Sequence, residues 1–178
     1  MNKLTLLIPI VRPYFEGFIE RLDKQGLRYS ILETLRTKEV QEAYFAQGRK
    51  PLEEINELRK KAGLYLLGAE EGKKIITKTL ESVHLTGRAA DIVPVIDGKI
   101  PWVISKDNYE LWLAFGRLGQ EAGLEWGGNW TPLNAFGIGW DAPHYQYLGA
   151  REERTESHRA RPNRKLVSNY HVRLGNRI

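Results

Sequence analysis

Between residues 13 and 25 the apolar positions Phe15, Phe18, Ile19 and Leu22 recur every three or four residues. That period predicts an amphipathic helix, opened by Pro13 and closed by Gly26. Ahead of it, residues 4–11 form a short apolar run containing Pro9, which predicts a buried strand or extended segment. Residues 28–33 alternate and predict a strand. Thr37 is placed to cap a second helix, with Val40, Ala43, Tyr44 and Gln47 along one face and Gly48 at its end. Pro51 at a first helical position opens a third, with Leu52, Ile55 and Leu58 inward as far as Gly63. Residues 64–73 then predict a loop and 74–80 an extended segment. Residues 89–95 read as a strand. Asp97-Gly98 marks a hairpin turn returning through 99–103. Asn108 is placed to cap a long helix to Ala122 with Leu111, Trp112, Phe115 and Leu118 inward. A short strand at 124–126, a Gly/Pro-rich loop at 127–141 and a last strand at 144–148 complete the pattern. Helices first, then strands around one more helix, predict an α+β fold. The expected form is a single domain over 1–150 with a small, mostly antiparallel sheet packed with helices.

The pattern fades after Arg151. Residues 151–178 are polar and Arg-rich, with few apolar positions, and predict a basic surface tail without a separate domain. His158 and His171 lie there and read as solvent-exposed. The tail contributes to a net charge of +5, which favours anionic surroundings such as wall polymers, lipid or nucleic acid. Nucleic acid is the least expected of these, because Tyr170 is the only aromatic among the tail's basic residues and a stacking platform needs more.

Composition narrows the chemistry. The 178 residues include five Trp, eight Tyr and five Phe, enough aromatic volume for a core without staples. There is no cysteine, so disulfides, thiolate metal sites and cysteine nucleophiles are excluded. A transition-metal site must therefore combine His with Asp or Glu. No apolar run approaches the roughly 20 residues of a membrane span. Residues 4–11 lack a small-residue cleavage site, so a secretion signal is not expected.

Two clusters carry candidate chemistry. Ser82-Val83-His84-Leu85-Thr86-Gly87-Arg88-Ala89-Ala90-Asp91 places a histidine before a glycine turn and a carboxylate on the following strand. Alone, this pair is equally well explained as a buried Asp hydrogen-bonded to a His. With the second cluster, Trp126-Gly127-Gly128-Asn129-Trp130 and then Asp141-Ala142-Pro143-His144-Tyr145-Gln146, a metal site becomes the better reading. In a regular strand Asp141 and His144 face opposite ways. Pro143 breaks that geometry, and a bend there brings both to one pocket. His84, Asp91 and His144 are then three ligands, with Asp141 the base, the plan of an open hydrolytic zinc site. Trp126 and Trp130 read first as core residues.

The motifs Ser-x-His-x-x-Gly-x-Ala-x-Asp, Trp-Gly-Gly-x-Trp and Asp-x-Pro-His-x-Gln resemble those of zinc peptidases that cut peptidoglycan stem peptides. That family includes D-alanyl-D-alanine carboxypeptidases and dipeptidases, and L-alanyl-D-glutamate endopeptidases found as phage endolysins. Leu35-Arg36-Thr37, Gln41, Tyr44 and Ala46-Gln47-Gly48-Arg49 are similar to a segment of the endopeptidase branch, so the resemblance covers about residues 30–148. It implies one Zn2+ on His84, Asp91 and His144 at the sheet face, Asp141 as catalytic base, and Arg36 polarising the scissile carbonyl. Ser82, Gln41, Arg49, Trp126 and Gln146 are expected to contact substrate or support the ligands. Gln41 and Arg49 fit equally well as bonds to the loop before Ser82. The expected activity is L-alanyl-D-glutamate endopeptidase acting as a phage or prophage endolysin, a monomer held in the host cytoplasm until release to the wall. The alternatives are D-alanyl-D-alanine carboxypeptidase or dipeptidase and, in another class, a non-catalytic zinc-stabilised wall-binding module.

Overall fold

Four short strands form one antiparallel sheet in the order β1-β2-β4-β3, in a computed structural model that describes residues 3–147. The strands are β1 (Tyr29–Glu33), β2 (Ala89–Pro94), β3 (Leu124–Trp126) and β4 (His144–Tyr147). The helices are α1 (Arg12–Lys24), α2 (Lys38–Ala46), α3 (Leu52–Lys61), α4 (Ala69–Gly72) and α5 (Tyr109–Glu121). The α+β expectation and the antiparallel sheet therefore hold. The 151–178 tail, with His158 and His171, lies outside the described residues, as does the last residue of the predicted 144–148 strand.

The two faces of the sheet have different chemistry, because side chains alternate along each strand. Ala90 and Ile92 of β2, Leu124 and Trp126 of β3 and Tyr145 of β4 join the core, which also holds Phe15, Phe18 and Leu22 of α1 and Trp112, Phe115 and Leu118 of α5. Each such side chain, fully buried, contributes about 1.5–3 kcal/mol. Gly116 and Gly119 let the rings of Trp126 and Tyr145 lie directly on α5, since a Cβ at either position would overlap them. The opposite face carries Asp91, His144, Gln146 and Glu125. Beyond this core, α2 and α3 pack through a smaller cluster of Ala46, Ile55 and Leu67.

Several local expectations are corrected. Residues 4–11 are not a strand. A 3-10 turn spans Lys3–Leu6, and Leu4, Leu7 and Val11 are buried at a helical rather than an alternating spacing. The loop predicted at 64–73 contains the single turn α4. The return arm of the Asp97-Gly98 hairpin shrinks to one bridge, Ile96 to Lys99, although both turn residues have the positive φ such a turn needs. Asn108 stands at the start of α5 but does not cap it. Its side chain instead accepts from Ser105 N (3.0 Å) and donates to Val103 O (2.9 Å). Pro51 occupies the cap position of α3 rather than its first turn. Thr37 does cap α2, accepting from Val40 N at 3.3 Å.

Candidate metal centre

Sheet register creates the site. Ile92 N bonds Pro143 O (2.9 Å) and Tyr147 N bonds Arg88 O (3.0 Å). Asp91 and His144 are opposite one another between these bonds, in a non-hydrogen-bonded pair, the arrangement in which facing side chains come closest. Asp141, Ala142 and Pro143 form a turn just before β4, closed by His144 N to Asp141 O at 3.1 Å. The predicted bend at Pro143 is therefore present.

His84 arrives from a 3-10 turn, Val83–Thr86. Ser82 starts that turn, its Oγ accepting from His84 N at 3.4 Å, and Gly87 ends it in the left-handed region at φ 65°. Arg36 N to His84 O (3.1 Å) and Ile8 N to Gly87 O (3.1 Å) hold the turn against the strands. The His84 side chain is only 2% exposed.

Hydrogen bonding fixes which ring nitrogens face inward. His84 Nδ1 lies 2.7 Å from Thr34 O, which can only accept, so Nδ1 carries the proton and Nε2 keeps its lone pair. Gln146 Nε2 donates to Glu125 Oε2 at 2.6 Å, so the Gln146 carbonyl oxygen faces His144. His144 Nε2 therefore donates to Gln146 Oε1 at 3.2 Å, leaving the lone pair on Nδ1. The inward atoms are separated by 3.1 Å (His84 Nε2 to His144 Nδ1), 3.2 Å (His84 Nε2 to Asp91 Oδ1) and 3.4 Å (His144 Nδ1 to Asp91 Oδ1). Ligands at about 2.0–2.1 Å from a tetrahedral zinc stand about 3.3 Å apart. Three converging lone pairs repel one another unless a cation or a proton lies among them. The donor set therefore fits zinc in both spacing and tautomer.

Charge around the cluster is shared unevenly. Burial opposes ionisation of Asp91, but hydrogen bonds and charge from His144 and His84 outweigh it and hold its pKa well below the usual carboxylate range. Burial pushes the pKa of Asp141 up, with the nearby Asp91 charge adding to the shift against the opposing pull of His144. Asp141 stands outside the three-ligand group, and Gly127 packs against its backbone where a Cβ would overlap the Asp141 carbonyl oxygen.

Arg36 lies beside the cluster, its Nη2 3.9 Å from Asp91 Oδ2. Glu33 grips it in a bidentate pair, through Nε at 2.9 Å and through Nη2. Gln41 Oε1 accepts from Nη1 at 2.7 Å, and the guanidinium stacks on Tyr44. These bonds occupy three of the five N–H groups a guanidinium carries. Gln41 Nε2 reaches on to Thr79 O (2.6 Å), and Arg49 donates to Thr77 O (3.0 Å) and Phe45 O (2.7 Å). Of the two readings open for Gln41 and Arg49, both make the bond to the segment before Ser82. Trp126 is core, as first read, and its indole N–H fixes Ala142 O at 2.7 Å. Trp130 is half-buried instead, with its ring 5.2 Å from that of His144.

The sequence reading missed Glu33, Thr34 and Glu125. A β-bulge between Ile31 and Glu33 puts Glu33 opposite Asp91, where an unbroken register would bring Leu32. Lys3 Nζ donates to both Ile31 O and Leu32 O at the bulge (2.8 Å each), and Lys3 O accepts from Thr34 Oγ1. Two signals were available: the Glu33/Arg36 spacing, and a carboxylate standing alone in the apolar Leu124-Glu125-Trp126.

A family model described as D-alanyl-D-alanine carboxypeptidase matches residues 76–147, the stretch holding His84, Asp91, Asp141 and His144. Residues 76–147 are thus similar to a peptidase family, and His84, Asp91 and His144 within them form a candidate metal site. Among solved structures the chain is similar to the L-Ala D-Glu endopeptidase ChiX of Serratia marcescens, at 25% identity and a TM-score of 0.48, covering 85% of this chain and 86% of that one. It is also similar to the zinc-bound D,D-pentapeptidase VanY from the VanB-type resistance cassette, at 19% identity and a TM-score of 0.45, covering 82% and 74%. A comparison with curated protein sequences finds no match. Among the described residues no helix is long and apolar enough to cross a membrane.

Proposed function

We propose that this protein cleaves the L-alanyl-D-glutamate bond of the peptidoglycan stem peptide, as an endolysin does. The observation that carries the hydrolytic reading is the convergence of His84, Asp91 and His144, with Asp141 in the turn that leads directly into His144. His84, Asp91 and His144 would hold a zinc ion, which would supply Lewis acidity for the hydrolysis. Asp141 takes the proton of the attacking water and returns it to the leaving amine, the work of a general base and then a general acid. Arg36, oriented by Glu33 and Gln41, offers its remaining N–H groups to the carbonyl oxygen as negative charge develops there. Ser82, Thr34, Gln146 and Glu125 hold the ligands without touching substrate.

The endopeptidase branch is preferred because Gln41 and the Gln47-Gly48-Arg49 segment have structural work here. Gln41 and Arg49 anchor residues 77 and 79, and Gln41 also accepts from Arg36. Gln47 Oε1 accepts from the buried Arg59 (3.3 Å), and Gln47 Nε2 donates to Glu71 O (2.9 Å), tying α2 to α3 and α4. Analysis of digested peptidoglycan tests the reading. New L-Ala carboxyl ends paired with new D-Glu amines are expected. Free D-Ala as the product would replace it with the carboxypeptidase reading, which the description of the matched family favours.

A further inference from the structure

We infer that Lys78 is a specificity-determining residue that takes the free carboxylate of the substrate next to the cleaved bond. This rests on the peptidase reading above and names a feature of its substrate. Lys78 lies between two anchored residues. Thr77 O accepts from Arg49 (3.0 Å), and Thr79 O accepts from Gln41 (2.6 Å), whose other end holds Arg36 beside Asp91. The backbone at Lys78 is thus fixed from the α2 side of the metal centre. Its ammonium reaches the opposite side, 4.5 Å from the ring centroid of Trp140. Trp140 directly precedes Asp141, and its ring lies 5.8 Å from Trp130, which is itself 5.2 Å from His144. Lys78 therefore links the segment that Gln41 ties to Arg36 with Trp140, the residue before Asp141.

Its partner there is an indole face and not a carboxylate. Cation–π contact orients the ammonium without occupying its hydrogen-bond donors, so all three N–H groups remain for an anion. Trp140 is 48% exposed, which leaves the pair open to an incoming peptide. Arg36 already has Glu33 as its counterion, whereas Lys78 rests on an indole, so its charge is available to the substrate. In an L-alanyl-D-glutamate substrate the group presented beside the cleaved bond is the α-carboxylate of D-glutamate. The amidated form, D-isoglutamine, lacks that charge.

The test compares stem peptides carrying D-glutamate or D-isoglutamine on the zinc-loaded full chain and its Lys78→Met and Lys78→Arg variants. KM and kcat are measured, and binding of uncut peptide to the Asp141→Ala chain, with and without Lys78→Met, is followed by calorimetry. Lys78→Met is expected to raise KM and Kd for the D-glutamate peptide about tenfold, roughly one charge-assisted hydrogen bond. Its kcat and its KM for the D-isoglutamine peptide should stay within about twofold, and Lys78→Arg should restore the charged substrate. Equal effects on both peptides, or none on either, overturn the assignment of Lys78 while the peptidase reading stands. If the unaltered chain neither binds nor cuts either peptide, the peptidase reading falls and the Lys78 assignment with it.

Discussion

His84 Nε2 and His144 Nδ1 face each other at 3.1 Å, and the second nitrogen of each ring is committed as a donor to a fixed acceptor. The pair is thus preset to bind a cation, and the folded chain should be stabilised by it. Zinc at 1,000 times its Kd is expected to add about 4 kcal/mol, seen as a fall in Tm on chelation and recovery on adding zinc back. His84→Ala should abolish both the zinc content and the chelator response. A His84→Ala protein that still carries one zinc per chain would sink the ligand assignment.

Removing Asp141's carboxylate should separate metal binding from turnover. Asp141→Asn is expected to keep its zinc and lose about 10^2 to 10^4 in kcat. Unchanged turnover in Asp141→Asn would move the base elsewhere.

Support from behind the ligands is measurable as affinity. Glu125→Gln removes the carboxylate that accepts from Gln146 Nε2 and so weakens the hold on the His144 tautomer. Zinc affinity should fall about 10- to 100-fold with little loss of fold. Competition with a chromophoric chelator reads this directly, and an affinity equal to that of the parent would show the network to be idle.

The zinc-stripped chain should respond to pH in the opposite sense to the loaded one. Burial disfavours the His144 imidazolium, but its hydrogen bond to Asp91 and the Asp91 and Asp141 charges more than compensate, so the pKa is raised. A group raised above its unfolded value of about 6.5 contributes stability in full below that pH and loses it as pH rises through the folded pKa. Tm of the stripped chain should therefore decline as pH rises above about 6.5 and through the folded pKa of His144. Zinc binding needs unprotonated ligands, so the loaded chain should be the more stable toward pH 8. A stripped chain whose Tm rises across that range would contradict the raised pKa.

Packing on α5 gives a control remote from the chemistry. Gly116→Ala places a methyl into the Trp126 ring and should cost about 1–3 kcal/mol in denaturant unfolding. Zinc content per folded molecule should not change. A neutral substitution would mean that the helix and β3 can separate freely.

Much of this was legible because periodicity and motif spacing report local geometry. The helices α1, α2, α3 and α5 follow from apolar spacing, and His84, Asp91, Asp141 and His144 from their motifs. What escaped depended on contacts between distant segments. Glu33 faces Asp91 only because a bulge shifts β1, and the carbonyls of that bulge are satisfied by Lys3, some thirty residues away. Thr34 orients His84 through its backbone oxygen, a role that any residue type can fill and no motif can reveal. The first apolar run looked like a strand because Pro9 masked the spacing of Leu4, Leu7 and Val11.

The pairing of Asp91 with His144 has a consequence for how the protein is made. On the ribosome, Glu33, His84 and Asp91 emerge well before β4. Until His144 lies down beside β2 only two of the three candidate ligands are in place, so a nascent or truncated chain lacks the complete cluster. A slip of one position in the Ala89–Gln146, Ala90–Tyr145 and Asp91–His144 register would turn the histidine into the core and leave the metal unheld. Assembly of the metal centre is thus withheld by topology until synthesis has passed residue 144 and the sheet has closed in its correct register.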